Sequence, residues 1–335
     1  MDDFMLTIIM SNYNQEKYIE KAIDSVLMQN VNFKYKLIIT DDASTKDNSV
    51  QIIKDDEKKY PEIIQALYNK ENGGYLVNIL RAKAITKTPY FCLLDADDYY
   101  TDSNYLQRAY DFLQKNKDYV IYYENVNYLY EDGSVAPFIN PKEKSRDYGI
   151  NDYLDDNLPI VQTTGQFFRN IIFSNGIPEI MQNAVGTVSE RSFEGDYDRF
   201  LMHLKYGKAY FNNVICGIYR VLPSGIWNKL SECQRILFQI QTYYDYNRYF
   251  ENQYAEYFIN KMYDELLKIL SQIQNLNKID FTNSQFEQLY SLYNFIIQNK
   301  SYISETNLEK RKKLYARKLL KNKIKNKLYI CKGIK

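Results

Sequence analysis

The sequence predicts an α/β fold with a mainly parallel sheet and flanking helices, followed by a C-terminal helical region. Up to about residue 125, short β-rich apolar runs alternate with segments of helical periodicity, which is the pattern of βαβ units. From about residue 229 glycine and proline are nearly absent until the final residues, which favours helix there. The chain of 335 residues is long enough for about two domains.

Five apolar runs are the predicted strands of this sheet: LTIIM, KLIIT, IIQALY, YFCLL and YVIYY. A helix is predicted between the first two runs, with Asn14 as its N-cap. Its apolar face is formed by Ile19, Ala22, Ile23, Val26 and Leu27. Right-handed crossovers bring the carboxyl ends of parallel strands to one edge, and ligands bind in the crevice outside that edge.

In the C-terminal region, three helices are predicted from apolar residues that recur at steps of three and four. The predicted faces are Leu230, Cys233, Leu237, Ile240 and Tyr244; Ala255, Phe258, Met262, Leu266, Ile269 and Ile273; and Phe286, Leu289, Tyr293 and Ile296. Such helices can cover one another's apolar faces.

Composition excludes several classes of protein. Lys and Arg number 43 against 42 Asp and Glu, so the chain lacks the overall positive field that gathers nucleic acid. The four cysteines form no CxxC pair, which argues against a zinc site or a disulfide framework and fits a reducing cytoplasm. The amino terminus is unlike a signal peptide and no apolar stretch reaches 18 residues, so we expect a chain that is neither secreted nor membrane-spanning.

Polar loops follow four of the predicted strands: 11–14, 41–44, 72–74 and 95–98. Each loop alone is typical of ordinary turns, because Asn, Asp, Ser and Gly favour turns. The acidic triplet Asp95, Asp97 and Asp98 is different, since crowded like charges are costly unless a cation neutralises them. Carboxylate oxygens suit Mg²⁺ or Mn²⁺, so the triplet predicts a divalent cation with a phosphate-bearing ligand.

These motifs, in this order, resemble the nucleotide-sugar-binding half of a family 2 glycosyltransferase with the GT-A fold. The likeness continues through EGDYDRFLMHLKYGKAYFNNVICGIYRVLPSGIW and covers about residues 4–228. It implies a glycosyltransferase domain at 1–228, divided into a nucleotide-sugar-binding half at 1–125 and an acceptor half at 126–228. Residues 229–335 then form a separate helical region with a basic tail.

The resemblance implies roles for the residues that bind the donor. Ser11 and Tyr13 would meet the nucleotide base and ribose, and Asp42 would hydrogen-bond the base. Asp97 and Asp98 would form the DxD-type element, with Asp98 as the ligand of Mn²⁺ or Mg²⁺. A uracil base, and hence a UDP-sugar, is expected because Asp42 can accept the imide N–H, which cytosine lacks.

Three further assignments follow, each with an alternative. Asp95 faces the same way as Asp97 if the backbone is extended, so it either contacts the sugar or is a solvated strand-end carboxylate. Arg81 either faces the donor phosphate or sugar or lies on a solvated helix face. Asp196, at the start of a predicted helix, is the general base by resemblance, with Glu194 as its competitor; both could instead be acids favoured by the helix dipole.

Leu222 departs from the family, because related sequences often carry His there and leucine cannot bind a metal. The only histidine, His203, is given no role. Trp227 is predicted either to flank the acceptor or to anchor the core. Residues 163–166 look like the family's inner acceptor strand, with structural and functional interpretations about equal.

The resulting prediction is an inverting, metal-dependent hexosyltransferase of polysaccharide biosynthesis, such as capsule or lipooligosaccharide synthesis. It would move a sugar from a UDP-sugar to a hydroxyl of a lipid-linked or surface-glycan acceptor. One alternative is a nucleotidyltransferase, although SNYNQEKY lacks the Gly-rich, Arg-containing loop expected of that class. The other is an inactive nucleotide-sugar-binding module, which only Leu222 supports. A glycoside hydrolase fits less well, because three clustered acids suit a metal better than a pair of catalytic carboxylates.

The last segment, LEKRKKLYARKLLKNKIKNKLYICKGIK, is strongly basic. Leu320, Ile324 and Leu328 recur every four residues along it, a pattern typical of helices that lie on a membrane surface. The tail therefore predicts a cytoplasmic enzyme that is peripheral on the cytoplasmic face of a membrane. A solvated helix is an equal alternative, and nucleic acid is not an expected partner because no recognition motif accompanies the charge.

Overall fold

The computed structural model describes residues 4–222, 229–272 and 281–303. The chain divides into two compact units, Met1–Lys229 and Leu230–Lys335. The described strands of the first unit are β1 (Leu6–Asn12), β2 (Tyr35–Asp41), β3 (Ile64–Tyr68), β4 (Tyr90–Leu93), β5 (Tyr99–Tyr100), β6 (Tyr119–Leu129), β7 (Val135–Pro137), β8 (Arg146–Tyr148), β9 (Gln166–Arg169) and β10 (Lys208–Arg220). Its described α-helices are α1 (Glu16–Leu27), α2 (Ser49–Lys59), α3 (Gly74–Ile85), α4 (Tyr105–Lys115), α5 (Ile150–Leu154), α6 (Glu179–Gln182) and α7 (Asp196–Leu204).

The strands form one sheet in the order β3-β2-β1-β4-β9-β6-β10-β5, with β7 paired to β6 and β8 to β10. Strands β1 to β4 pair in parallel, and β6 pairs in parallel with β10. Strand β9 is antiparallel to both of its neighbours, β4 and β6, so β6 and β10 run in the same direction as β1 to β4. The predicted α/β fold with a mainly parallel sheet is confirmed, and each of the five predicted runs forms a strand, although Ile63 and Leu94 lie just outside β3 and β4.

The core of the first unit forms where helices cover this sheet. Ile19, Ala22, Ile23 and Val26 of α1 are fully buried in the same cluster as β1 and β2 residues, as the helical spacing predicts. Each of the buried isoleucine and valine side chains contributes about 1.5–3 kcal/mol by leaving water. The predicted N-cap is wrong, because α1 begins at Glu16 with Gln15 in the capping position.

Asn14 instead serves a neighbouring loop. It adopts a left-handed φ of 52°, and its side-chain Oδ1 accepts hydrogen bonds from the backbone N–H groups of Thr45 and Lys46 at 3.2 and 3.0 Å. Asparagine tolerates this conformation better than most residues do. The loops after β1 and β2 are therefore joined at the carboxyl edge of the sheet.

The second unit contains the described helices α8 (Glu232–Tyr249), α9 (Ala255–Gln272) and α10 (Asn283–Gln298). Their shared core comprises Ile236, Leu237, Ile240, Met262, Leu266, Ile269, Leu292 and Ile296. The predicted C-terminal helical region is thus confirmed. Within the described residues, capping boxes start two of the helices, at Ser231 with Gln234 and at Thr282 with Gln285.

One predicted helix face is partly wrong. On α10, Phe286 and Tyr293 are 50% and 42% exposed, whereas Leu292 and Ile296 are buried. The predicted face, which included these two aromatic residues, is therefore rotated around the helix axis from the face that packs in the shared core. Ile273, Trp227 and the basic tail from residue 304 lie outside the described residues. Among the helices that the structure describes, none is long and apolar enough to cross a bilayer.

Candidate active site

The acidic triplet lies in a turn at the carboxyl end of β4. The backbone N–H of Leu94 still donates to Ile9 of β1, at 2.9 Å. The chain then turns, because the N–H of Asp98 donates to the carbonyl of Asp95 at 3.0 Å. The extended backbone assumed for Asp95 and Asp97 is therefore wrong. The three carboxylates diverge from this turn into different surroundings.

Asp98 is an internal anchor. It is only 1% exposed, and each of its carboxylate oxygens accepts a hydrogen bond of 2.8 Å. Oδ2 accepts from the hydroxyl of Thr164, and Oδ1 accepts from the backbone N–H of Arg220. Burial, with Asp97 and Asp95 adding to it, raises the pKa of Asp98 well above its usual range. This side chain ties the turn after β4 to the end of β10.

Asp95 and Asp97 are half-buried and more available to a ligand. The hydroxyl of Tyr75 donates to Oδ1 of Asp95 at 3.3 Å. Burial and the neighbouring Asp97 raise the pKa of Asp95 to about 7, against the opposing influence of Arg199. Burial also raises the pKa of Asp97, and the guanidinium of Arg220 opposes that rise. The negative charge of these two carboxylates is incompletely balanced.

The donor set at the turn suits a hard cation only in part. Among the described residues, no three acidic, histidine or cysteine side chains converge into a site that could hold a metal ion. Two incompletely balanced carboxylates fit the way Mg²⁺ is commonly bound, with the remaining positions taken by water and substrate phosphates. Asp95 and Asp97 can therefore hold such an ion only together with other ligands.

Asp196 is the first residue of α7, with Gly195 in the N-cap position. Its Oδ1 accepts three hydrogen bonds, from Thr163 Oγ1 at 2.6 Å, Gln166 Nε2 at 3.2 Å and Arg199 Nη2 at 2.6 Å. Its Oδ2 accepts none from the residues that the structure describes. The side chain is 21% exposed. Asp196 is thus a tethered carboxylate with one oxygen left for a ligand.

Glu194, the competitor for the base, is placed differently. It follows the 3₁₀ helix Glu190–Phe193 and is half-buried. Burial raises its pKa, and the guanidinium of Arg191 opposes that rise. Its carboxylate lies outside the hydrogen-bond network that Thr163, Gln166 and Arg199 form on Asp196.

Residues 163–166 join the two carboxylate sites. Thr163 and Gln166 donate to Asp196, while Thr164 between them donates to Asp98. The segment is a 3₁₀ helix, Thr163–Gly165, followed by the first residue of β9. At Gly165 a Cβ atom would lie 2.2 Å from the carbonyl oxygen of Glu124 on β6, so only glycine fits this close approach. The inner acceptor strand of the sequence prediction is therefore a link between both parts of the site.

Asp42 is buried at the end of β2 and serves a loop. Its Oδ1 accepts from the N–H of Gly73 at 2.7 Å and from Asn69 Nδ2 at 2.9 Å, and its Oδ2 accepts from the N–H of Gly74 at 2.9 Å. Gly74 has a φ of +84°, which favours glycine. Asp42 therefore holds the start of α3, and most of its capacity to accept hydrogen bonds is used within the chain.

The other predicted donor residues occupy the same edge or lie near it. Ser11 is half-buried near the end of β1, and Tyr13 in the following loop is 44% exposed. Arg81 lies seven residues after Gly74, about 10 Å along α3. Its Nη1 is buried and meets no hydrogen-bond acceptor in the described part of the chain. The structure gives no contact between Arg81 and the acidic triplet.

Arg220 is a site residue that the sequence analysis missed. Its guanidinium lies over the rings of Tyr18 and Tyr99, with centroids 5.0 and 4.9 Å away. The guanidinium is also close enough to Asp97 to oppose the rise of its pKa. Arg220 stands two residues before the departure at Leu222. The only signal in the sequence was the position of Arg220 at the end of the last strand of the domain.

A buried polar cluster behind the site was also missed. Lys83, Asp198 and His203 are at most 1% exposed. Within the described chain, Lys83 Nζ, both carboxylate oxygens of Asp198 and Nε2 of His203 lack hydrogen-bond partners. Burial lowers the pKa of Lys83 to about 7 and that of His203 to about 3, and it raises the pKa of Asp198 to about 6. The other ring nitrogen of His203, Nδ1, lies 2.6 Å from the carbonyl oxygen of Arg199.

Comparisons with known proteins place these features in a family. The family model described as glycosyl transferase family 2 matches residues 7–176, just over half of the chain. An uncharacterised protein of Mycobacterium tuberculosis is 26% identical over 223 residues, which is 67% of this chain and 60% of that protein. Hyaluronan synthase of Pasteurella multocida is 27% identical over 294 residues, 82% of this chain and 28% of that protein. The chain thus spans less than two thirds of the length of these curated relatives.

A solved structure, S. aureus TarS 1–349 in complex with UDP-GlcNAc, superimposes with a TM-score of 0.60 at 14% identity, over 88% of this chain and 81% of that one. At this identity the likeness is one of fold, and the fold is that of GT-A glycosyltransferases. Together with the family match and the sheet order, it shows that the chain has the GT-A fold and belongs to glycosyl transferase family 2.

Proposed function

We propose that the protein is an inverting, metal-dependent glycosyltransferase that moves a sugar from a UDP-sugar to a hydroxyl of a glycan or lipid-linked acceptor. One observation carries this proposal. The segment 163–166 holds Asp196 through Thr163 and Gln166, and holds the acidic turn through Thr164. A carboxylate with a free oxygen and an acidic turn thus belong to one connected site.

Asp196 is the proposed general base. A hydroxyl becomes a stronger nucleophile when a positioned carboxylate accepts its proton as it attacks. The acceptor oxygen would bond to the anomeric carbon while the bond from that carbon to the diphosphate oxygen breaks, and the proton would pass to Asp196. A single displacement of this kind inverts the configuration. Glu194 is the weaker candidate because the hydrogen bonds of Thr163, Gln166 and Arg199 position Asp196 and not Glu194.

We assign the divalent cation to Asp97 and Asp95 rather than to Asp98. Both oxygens of Asp98 already accept hydrogen bonds within the chain, whereas Asp95 and Asp97 are half-buried and incompletely neutralised. When bound, the cation would neutralise charge on the departing diphosphate. Donor binding in the presence of Mn²⁺ or of Mg²⁺ distinguishes between the two ions. Arg220 would add a second positive charge beside Asp97, two residues before Leu222, where related sequences often carry histidine.

The donor is proposed to be UDP-linked. The TarS structure of the same fold contains UDP-GlcNAc. One curated relative is named hyaluronan synthase, after the polysaccharide hyaluronan. In this chain Ser11 and Tyr13 lie at the carboxyl edge, where a nucleotide binds in open α/β sheets. Asp42 would contribute through the one lone-pair position that its loop contacts leave free, or by shaping the loop at Gly73.

The test begins with donor binding and continues with turnover. A thermal-shift panel of UDP-glucose, UDP-galactose, UDP-GlcNAc and GDP-mannose, each with and without Mn²⁺ or Mg²⁺, identifies the donor class, because a ligand of the native state raises its stability. Release of UDP is then measured for the parent, for Asp196→Asn and for Asp55→Asn, an exposed carboxylate on α2 that serves as control.

We expect Asp196→Asn to lower kcat by about 10²–10⁴-fold while donor affinity stays at the parent value. The control should match the parent. If Glu194→Gln shows the large loss and Asp196→Asn does not, the base is misassigned. A thermal shift with one of these donors but no release of UDP would support the alternative of an inactive nucleotide-sugar-binding module, and no shift with any donor would contradict the proposed donor class.

We also propose reversible attachment to an anionic membrane surface through the basic tail from Lys310 to Lys327, which lies outside the described residues. Each basic residue near an anionic leaflet contributes up to about 1 kcal/mol. Co-sedimentation with phosphatidylglycerol vesicles should show salt-sensitive binding of the intact chain and none for a chain that ends at Thr306. Equal binding by the two chains would contradict this attachment.

A further inference from the structure

We propose that Arg199 is a positioning residue that fixes the carboxylate of Asp196 with one oxygen directed to the acceptor. The inference rests on the proposed function, because it concerns how the general base is held. Arg199 lies three residues after Asp196 on α7, so the two side chains are neighbours on the helix surface.

The contacts form a closed network on a single oxygen. Arg199 Nη2 donates to Oδ1 of Asp196 at 2.6 Å and to Oγ1 of Thr163 at 2.9 Å. Thr163 in turn donates its hydroxyl proton to the same Oδ1, and Arg199 Nε reaches Oε1 of Gln166 at 3.4 Å. Gln166 Nε2 also donates to Oδ1, at 3.2 Å, so three groups fix this oxygen in space. The carboxylate cannot turn without breaking them, so Oδ2 keeps one direction.

An arginine suits this role better than a lysine. Its planar fork presents several N–H groups in fixed directions, so one side chain can contact Asp196, Thr163 and Gln166 together. A lysine ammonium carries the same charge on one nitrogen and lacks this fork. Arg199 is 2% exposed, so water offers little replacement for a lost contact.

A second carboxylate balances the buried guanidinium. Asp196 and Asp198 both favour the charged form of Arg199, against the effect of burial on its pKa. When Asp196 accepts a proton during transfer, its negative charge is lost, and Asp198 still faces Arg199. The charged and titratable groups around Asp196 are Arg199, Asp198 and Tyr197 on α7, Asp95 after β4, Tyr75 on α3 and Tyr219 on β10.

The test compares Arg199→Lys, Thr163→Val and Thr163→Ser with the parent, using UDP release from the donor found in the panel. Valine keeps the shape of threonine without the hydroxyl, and serine keeps the hydroxyl. We expect Arg199→Lys to lower kcat by about 10–100-fold, because a misplacement of about 1 Å can cost that much. The donor KM and the thermal shift on donor binding should stay at the parent values.

Thr163→Val should lower kcat less than Arg199→Lys does. It should also move the acid limb of the pH–rate profile to higher pH, since a hydrogen bond to the charged carboxylate is lost. Thr163→Ser, which keeps the hydroxyl, should show the kcat and the pH–rate profile of the parent. A merely structural role would change thermal stability without moving the profile. If Arg199→Lys does not fold, the valine and serine variants decide by the same readouts.

Two failures can be told apart. If Asp196→Asn is inactive while Arg199→Lys and Thr163→Val keep the parent kcat and pH profile, the positioning role is overturned and the proposed base remains. If Asp196→Asn keeps full turnover, the proposed base itself is overturned, and the positioning role falls with it.

Discussion

Gly165 offers a sharp perturbation of the site without changing any reactive group. In Gly165→Ala the added Cβ would lie 2.2 Å from the carbonyl oxygen of Glu124 and 3.0 Å from Cγ2 of Val161. The first obstacle is backbone in the middle of β6, which pairs with β9 and β10. The segment 163–166 must therefore move, because the sheet cannot.

The expected cost follows from this geometry. Ordinary contacts of a Cβ atom begin at 3.4 Å, so the new methyl group lies about 1 Å too close to its neighbour. Overpacking in a well-packed core costs about 1–3 kcal/mol and occasionally more. We expect the upper end of that range, since neither partner is a flexible side chain. At about 2–4 °C per kcal/mol for a domain of this size, Tm should fall by about 6–12 °C.

The activity should fall further than the stability alone explains. Moving residues 163–166 disturbs the hydrogen bonds of Thr163 to Asp196 and of Thr164 to Asp98 together. The assay is UDP release at a temperature well below the Tm of the variant, with Gly149→Ala as the matched control. A Cβ at Gly149 meets nothing within 4 Å. Parent values of both Tm and kcat for Gly165→Ala would refute the reasoning.

Three further predictions address the acids and the buried lysine. Asp97→Asn should abolish the dependence of donor binding on Mn²⁺ with little change in Tm, whereas Asp98→Asn should lower Tm because it loses an internal anchor. Calorimetry of donor binding and thermal unfolding distinguish the two variants, and the reverse pattern would restore Asp98 as the metal ligand. Asp42→Ala should lower the Tm, and it should weaken UDP binding by about 1–3 kcal/mol because of the unpaired groups it leaves; an effect on affinity alone would favour direct reading of uracil. Burial lowers the pKa of Lys83 from 10.5 to about 7, so between these values the unfolded chain binds the extra proton and stability rises with pH. Lys83→Met should therefore raise Tm most at pH 7 and below, with the difference from the parent shrinking towards pH 9; parallel Tm curves would contradict this.

The sequence predicted those features that depend on local pattern and topology. The five apolar runs became strands because β-rich runs between turn residues leave few other ways to bury their side chains. The convergence of the loops after β1, β2, β3 and β4 followed from the shared direction of parallel strands. The face of α1 followed from its 3.6-residue period. These rules need no knowledge of which residues meet across the chain.

The missed features depend on contacts between distant residues. Asp98 is fixed by Thr164 and Arg220, which lie 66 and 122 residues later in the chain. Arg199 looked like an ordinary polar residue of an amphipathic helix, and only the packing of α7 against residues 163–166 gives it a role. On α10, the aromatic pattern competed with the aliphatic one, and the exposure of Phe286 shows that the aliphatic face packs.

The three acids at the end of β4 have different surroundings. This difference explains how a turn with three carboxylates can follow a buried strand. The carboxyl group of Asp98 lies inside the fold, where a hydroxyl and a backbone N–H donate to its two oxygens, so this side chain holds the turn. Asp95 and Asp97 are less buried, and Tyr75 and Arg220 compensate their negative charge only in part. On the proposed assignment, a bound cation would offset the cost of holding that charge, and two carboxylates would leave most positions around it to other ligands. A site built in this way should bind metal and nucleotide together more tightly than either alone, because each supplies what the other lacks.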